Sequence, residues 1–361
     1  MQPVPENRKV SPSLAFFLVH SIQVGAGVLG FQRIISIHAG YDGWISVILA
    51  GALTHIIMFM MYKMLSTVKG DLVSIHTYVF GKWIGNFFSF LYALYFGLLV
   101  ITIIRSYVEV VQVWMYPRLS TFIFSLFFLL LTYYIVNGGV RTIAGVAYLG
   151  TLLPSYLVLT FVFTFKYADF RNILPVFDHS VMEILLSTRD MSLTYLGYEA
   201  ILMLYPFIKD PEKSQKYAQW GLFATSTIYT LIAIISFGFF APDQLDKTIW
   251  ATLSMWKIVE MPFVERFEYI GIANWCLIIL PNVCITVWCS SRVLKRMTPM
   301  KHRHTLLLIS VLCLAGLTFI DKRDQINLLN TISGKSGFYF NFIYIPLLFA
   351  LVFIMKKVKK Q

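Results

Sequence analysis

Gly25-Ala26-Gly27-Val28-Leu29-Gly30 places three glycines inside an apolar run that begins at Ser13 and carries no formal charge. The run is long enough to cross most of a bilayer, yet its second half is poor in residues that hold a helix straight. Two readings are open at this point. Glycine packs transmembrane helices closely against one another, and it also marks places where a helix comes apart. Backbone that leaves the helix at membrane depth must be satisfied by protein, water or ligand, so it persists only where it is buried or lines a cavity. On that reading residues 25–30 form a candidate binding site, and a second interrupted segment later in the chain favours it.

Composition sets the class. The 361 residues are 58% hydrophobic and 13% charged, with a mean hydropathy of +0.70, which describes an integral membrane protein. The net charge of +12 would point to nucleic acid in a soluble protein. Here the basic residues sit between apolar runs, where they set orientation, and no nucleic-acid partner is expected. Cys276, Cys284, Cys289 and Cys313 fall in or beside expected spans without a CxxC pair, so no disulfide, metal or cofactor is expected. Arg8 and Lys9 precede the first apolar stretch as in a signal peptide, but no small-residue cleavage site follows, and the segment reads as a retained first helix. There is no HExxH, no GxxxxGK[ST] loop and no evident Ser/His/Asp arrangement, so no catalytic residue is named and no enzyme is expected.

Hydropathy over about twenty residues predicts an all-α membrane protein of ten transmembrane helices. The first repeat would hold 13–37, 43–61, 85–104, 119–136 and 143–165; the second would hold 181–208, 218–240, 269–291, 305–320 and 338–355. The single membrane domain thus divides into five-helix halves at 13–165 and 181–355, with tails at 1–12 and 356–361. Lysine and arginine favour both termini on the cytoplasmic side, 18 against 12, led by Arg292, Lys295, Arg296, Lys301 and Arg303 in one loop and Lys356, Lys357, Lys359 and Lys360 in the tail. The loop from Ala241 to Pro262, with Ile249, Trp250, Met255 and Trp256, reads either as a helix in the outer interface or as a buried loop.

The sixth segment is the second irregular one. Arg189 and Asp190 lie in its outer half, then Thr194, Tyr195, Leu196, Gly197, Tyr198 and Glu199. Glu199 is the acidic residue placed near the middle of a span, where a carboxylate needs partners; it either ties the helix to its neighbours or stands beside a ligand. Interrupted segments opening each half of a ten-span chain point to a transporter-type site between inverted repeats. The halves share no evident sequence identity, so the repeat rests on segment count and break position. Amides at a half-helix N-terminus suit a carboxylate and carbonyls at a half-helix C-terminus suit an ammonium, which together fit an amino acid. His20 and His55 read as satisfied core histidines, and Arg105 and Glu109 as an ion pair on one helix face. Tyr92, Tyr95, Phe96, Asn274, Pro281 and Asn282 could line a cavity, but read first as ordinary interhelical glue.

Five motifs in order carry a resemblance: Gly25-Ala26-Gly27-Val28-Leu29, Asp42-Gly43-Trp44-Ile45, Gly81-Lys82-Trp83-Ile84-Gly85, Leu196-Gly197-Tyr198-Glu199 and Glu265-Arg266-Phe267-Glu268. Over nearly its whole length the chain resembles the B subunits of bacterial spore germinant receptors, the GerAB-type branch of the amino acid-polyamine-organocation transporter superfamily. The resemblance implies a leucine-transporter-type 5+5 inverted repeat with discontinuous first and sixth helices. It implies a subunit that senses a small germinant, usually an amino acid, in the spore inner membrane, beside a larger membrane subunit and a lipoprotein. An amino-acid permease is the alternative on the same fold. By resemblance, the amides of Ala26, Gly27 and Val28 receive a ligand carboxylate. Carbonyls around Val24 and Gly25, and from Tyr195 through Leu196 to Gly197, receive the amino group, and Tyr198 and Glu199 close or orient the pocket. Superfamily members often carry further acidic residues after this glutamate, where Pro206 and Phe207 stand here, so proton coupling is not implied.

Overall fold

The computed structural model describes residues 4–260, 262 and 264–358. Lys359 and Lys360 of the basic tail, the first three residues and two positions of the loop before Glu265 lie outside the described residues. All regular structure among the described residues is helical, apart from an isolated parallel bridge between Val10 and Ile208. Six helical stretches are long and apolar enough to cross a membrane: Phe31–Val68, Leu72–Trp114, Val140–Tyr167, Pro211–Phe239, Phe267–Met297 and Arg323–Val358. Three shorter apolar helices accompany them, α1 (Leu14–Gln23), Thr121–Asn137 and His302–Thr318.

Local chemistry sets several boundaries. Asp71 caps α2 (Leu72–Trp114) by accepting the Ser74 amide at 3.0 Å, and Ser180 forms a reciprocal capping box with Glu183 at the start of Val181–Asp190. The centre of the molecule is made by α2 against α3 (Phe267–Met297), with α1 packed on α4 (Gln215–Phe239). α3 is buried on most of its sides, which lets it carry Asn282, Thr286 and Ser290 in a membrane protein.

The expected first span is divided. α1 stops at Gln23, Val24 and Gly25 are non-helical, and a 3-10 turn over Ala26–Leu29 leads into Phe31–Ala39. The expected sixth span is divided as well, at Leu196 and Gly197, between Ser192–Tyr195 and the short helical turns from Tyr198 to Phe207. Gly197 has φ +108°, a left-handed conformation that a side chain opposes. The expected helix 338–355 begins much earlier, at Arg323, and passes through a π-helical turn over Tyr339–Tyr344. Its first half escapes a hydropathy window because Arg323, Asn327, Asn330 and Thr331 face a cavity rather than lipid.

The ion pair expected between Arg105 and Glu109 does not form. Arg105 instead donates to the carbonyls of Ile320 (2.5 Å) and Asp321 (3.0 Å), which follow the end of a helix, and Glu109 pairs with Arg323. A guanidinium fork gains two carbonyl acceptors at a helix end, where negative partial charge collects. The Ala241–Pro262 stretch combines the two readings: it carries two short helices, Pro242–Lys247, most of which is exposed, and Ala251–Trp256, which is buried. Met255 and Trp256 are buried, with Trp256 stacked on Phe161 at 6.0 Å and edge-on to Trp275 at 5.7 Å.

Candidate ligand-binding site

The two breaks meet at a cavity of about 440 Å³. Gly25, Ala26 and Gly27 line it from the first break, and Leu196 and Gly197 from the second. Thr102 and Ser106 of α2, Thr286 and Asn282 of α3, and the polar stripe Asn327, Asn330 and Thr331 complete the walls. Trp250 and Ile249 of the 241–262 stretch, with Arg33 and Arg323, line it as well. Of the other expected site residues, Val24, Val28, Tyr195, Tyr198 and Glu199 are buried behind this lining.

The approach of the breaks is close. A Cβ on Gly27 would lie 3.2 Å from Thr194 Cγ2, so glycine lets the first break rest on the second. The N–H groups of Ala26, Gly27 and Val28 open the 3-10 turn, where helical amides have no acceptor of their own. The freed carbonyls are already engaged. Asn282 Nδ2 donates to Ser21 O at 2.9 Å and Val24 O at 3.2 Å, and Trp275 Nε1 donates to Gly25 O at 3.2 Å. Tyr229 Oη donates to Gln23 O at 2.6 Å, and Gln23 Nε2 donates to Tyr195 O at 3.0 Å. Thr252 Oγ1 donates to Val28 O at 2.7 Å and itself accepts from Gln32 Nε2, tying the 241–262 stretch to the break.

Glu199 braces the second break. Its Oε2 accepts the Gly197 amide at 2.9 Å, its Oε1 accepts Tyr95 Oη at 2.5 Å, and its carbonyl accepts Tyr92 Oη at 2.8 Å. Tyr92 and Tyr95, read from sequence first as interhelical glue, are therefore hydrogen-bond donors that hold this carboxylate and its backbone, while their rings pack on Phe340 of the π-helical turn. His20 bonds Thr225 at 2.9 Å and His55 bonds Gln219, so both histidines have polar partners.

Sequence reasoning missed Gln23, Tyr229, Trp275 and the stripe on the last long helix. The stripe had a signal in its spacing of four, seven and eight residues from Arg323. The other three lie in apolar runs, and their roles come from which carbonyl each faces.

Comparison with known proteins places this geometry. The family model described as spore germination protein matches residues 9–327. GerQB, a spore germination protein of Bacillus cereus, is 41% identical over 351 residues, covering 97% of this chain and 98% of that one. Spore germination protein A2 of Bacillus subtilis (strain 168) is 25% identical, over 94% of this chain and 92% of that one. Among solved structures, a Na+-coupled sialic acid symporter aligns at TM-score 0.62 and 11% identity, covering 97% of this chain and 77% of that one. MhsT in complex with L-phenylalanine aligns at TM-score 0.56 and 14% identity, over 94% and 98%. At such identities the structures show a shared transporter fold, while the sequence matches reach further: this multi-pass membrane chain belongs to the spore germination protein family, whose permease-like members are not an enzyme class.

Proposed function

We propose that the protein is the germinant-binding subunit of a spore germination receptor, with an amino acid held between the broken first and sixth helices. The observation that carries this reading is that both breaks open into one cavity of about 440 Å³, a size suited to a small molecule. Helix ends at membrane depth are stable only where they are buried or face such a space. Ala26, Gly27 and Val28 would present amides to the carboxylate; Val24, Gly25, Tyr195, Leu196 and Gly197 would surround the amino end; Tyr198 and Glu199 would hold the second break in shape. The architecture proposed with it is ten spans in two inverted halves, 13–165 and 181–355, with both termini cytoplasmic in the spore inner membrane. A larger membrane subunit and a lipoprotein would complete the receptor.

Thermal unfolding of the purified chain in detergent, across a panel of amino acids, sugars and nucleosides, tests this. A ligand at one hundred times its dissociation constant stabilises the native state by about 2.7 kcal/mol. We expect one amino acid to raise the melting temperature of the wild type but not of Gly27→Leu, whose side chain would collide with Thr194. No shift with any amino acid would sink the reading. The likeness in fold to MhsT with L-phenylalanine favours one alternative, an amino-acid permease. Saturable uptake of a labelled amino acid into proteoliposomes containing this chain alone would establish it.

A further inference from the structure

Every polar atom freed by the two breaks needs a partner at this depth. The carbonyls of Ser21 and Val24 take Asn282, that of Gly25 takes Trp275, and those of Gln23 and Thr194 share Tyr229. Tyr195 O takes Gln23 Nε2, and Gly197 O takes the Ala200 amide at 2.9 Å. One side-chain atom of the cavity lining is buried with no partner among the described residues: Gln23 Oε1.

Gln23 is the last residue of α1 and is 2% exposed. Its amide has a defined orientation, because the Tyr195 carbonyl only accepts and so must face Nε2; Oε1 is thereby fixed as an acceptor. The atom is screened from water, so solvent does not meet its acceptor capacity, and an unmet buried acceptor carries a free-energy cost that an arriving donor removes. Among the described residues that line the cavity none is Asp or Glu, so a cationic group entering between the breaks finds no carboxylate. It finds the glutamine, three residues before the amides that open the 3-10 turn.

We propose that Gln23 is a specificity-determining residue that reads the ligand's amino group: Oε1 accepts a ligand N–H while Nε2 stays on the Tyr195 carbonyl. The two breaks are then joined through one side chain that senses occupancy, since the atom that meets the ligand belongs to the amide that holds the second break. Gln23 lines the cavity, and the broad terminal torsion of glutamine lets the amide adjust toward a ligand by an amount small enough to keep Nε2 within reach of the Tyr195 carbonyl. The inference rests on the reading that an amino acid binds between the breaks.

The test uses the full chain in detergent and the amino acid, out of the twenty, that stabilises the wild type most, together with its des-amino analogue. In the wild type, loss of the amino group should weaken binding roughly tenfold or more, the scale of a hydrogen bond to a charged group. In Gln23→Met, which keeps the side-chain length, that penalty should fall below about threefold, because no acceptor remains to be missed. In Gln23→Glu it should exceed the wild-type value, since the carboxylate has no donor for the Tyr195 carbonyl and turns to the ammonium. A purely structural role for Gln23 would weaken amino acid and analogue alike and leave the ratio where it was. An unchanged ratio in Gln23→Met, or an unchanged or smaller one in Gln23→Glu if Met does not fold, overturns the inference and leaves the proposed function standing. If no amino acid stabilises the wild type, the functional reading fails and the inference fails with it.

Discussion

Gly197 and Glu199 show how one residue shapes the second break. Gly197 holds φ +108°, and a Cβ there would sit 2.7 Å from Ile22 Cγ1, so an alanine meets both backbone strain and a steric clash with α1. Gly197→Ala should lower stability by about 1–3 kcal/mol, seen as a lower melting temperature in detergent; a variant that melts with the wild type would contradict this geometry. Glu199 stabilises the same turn from the other side, accepting from Gly197 N and Tyr95 Oη. Glutamine at 199 offers one acceptor where two donors point, so Glu199→Gln should cost about 1–3 kcal/mol. Tyr95→Phe should couple to it in a double-mutant cycle, and strict additivity would mean that the two side chains do not share a bond. Glu199 was legible in the sequence because a carboxylate at mid-span stands out against apolar neighbours. Gln23 was not, because a glutamine beside a helix end has no pattern of its own until the carbonyl it faces is known.

At the scale of elements, the two breaks were legible from glycine content and from a disrupted apolar pattern, yet what holds them open was not. That work falls to α3, which supplies Asn282 and Trp275 to the carbonyls of the first break, and to α4, which supplies Tyr229. Contacts between residues more than two hundred positions apart leave no local periodicity to read. The extent of the last long helix was also hidden, because its cavity-facing half is polar and its membrane-facing side too narrow to dominate a hydropathy window. Asn282 carries a functional consequence. Carbonyls at a half-helix C-terminus are where transporters of this architecture place a coupling cation, and here a fixed side-chain amide already faces Ser21 O and Val24 O, its two hydrogens shared among these and Ile278 O at 2.7 Å. Replacing sodium by choline should therefore leave the ligand-induced melting shift within about twofold in affinity. Asn282→Ala should lower the melting temperature with or without ligand, since it strips the donor from two buried acceptors; a sodium requirement in the wild type would show that the amide does not stand in for a cation.

The whole molecule is sealed at one end of the cavity and open at the other. At the sealed end the chain before α1 is joined to the chain after the sixth segment, Val10 N donating to Phe207 O and Lys209 N to Val10 O, both at 2.9 Å. Phe207 packs edge-on against Trp288 at 5.1 Å, and Arg292 lies over its ring at 4.9 Å, so the end of the sixth segment, with the chain before α1 bonded to it, is clamped to α3. At the other end the cavity runs between Arg33, Trp250 and Arg323 to the exposed Thr331. With both termini cytoplasmic, as proposed, the ligand would enter from the opposite side of the membrane. A cysteine at Thr331 reports this directly. In a Cys276→Ser background, which removes the one half-buried native thiol among four, Thr331→Cys in sealed membrane vesicles should react with a membrane-impermeant maleimide from the side opposite the termini. Phe207→Cys, buried in the clamp, should stay unlabelled from either side. A saturating amino-acid ligand should slow labelling at 331 severalfold by filling the cavity, while an exposed control cysteine in the Ala241–Thr248 stretch keeps its rate. Labelling of Thr331→Cys from the side of the termini would reverse the proposed orientation, and labelling of Phe207→Cys without ligand would mean that the clamp opens unbidden.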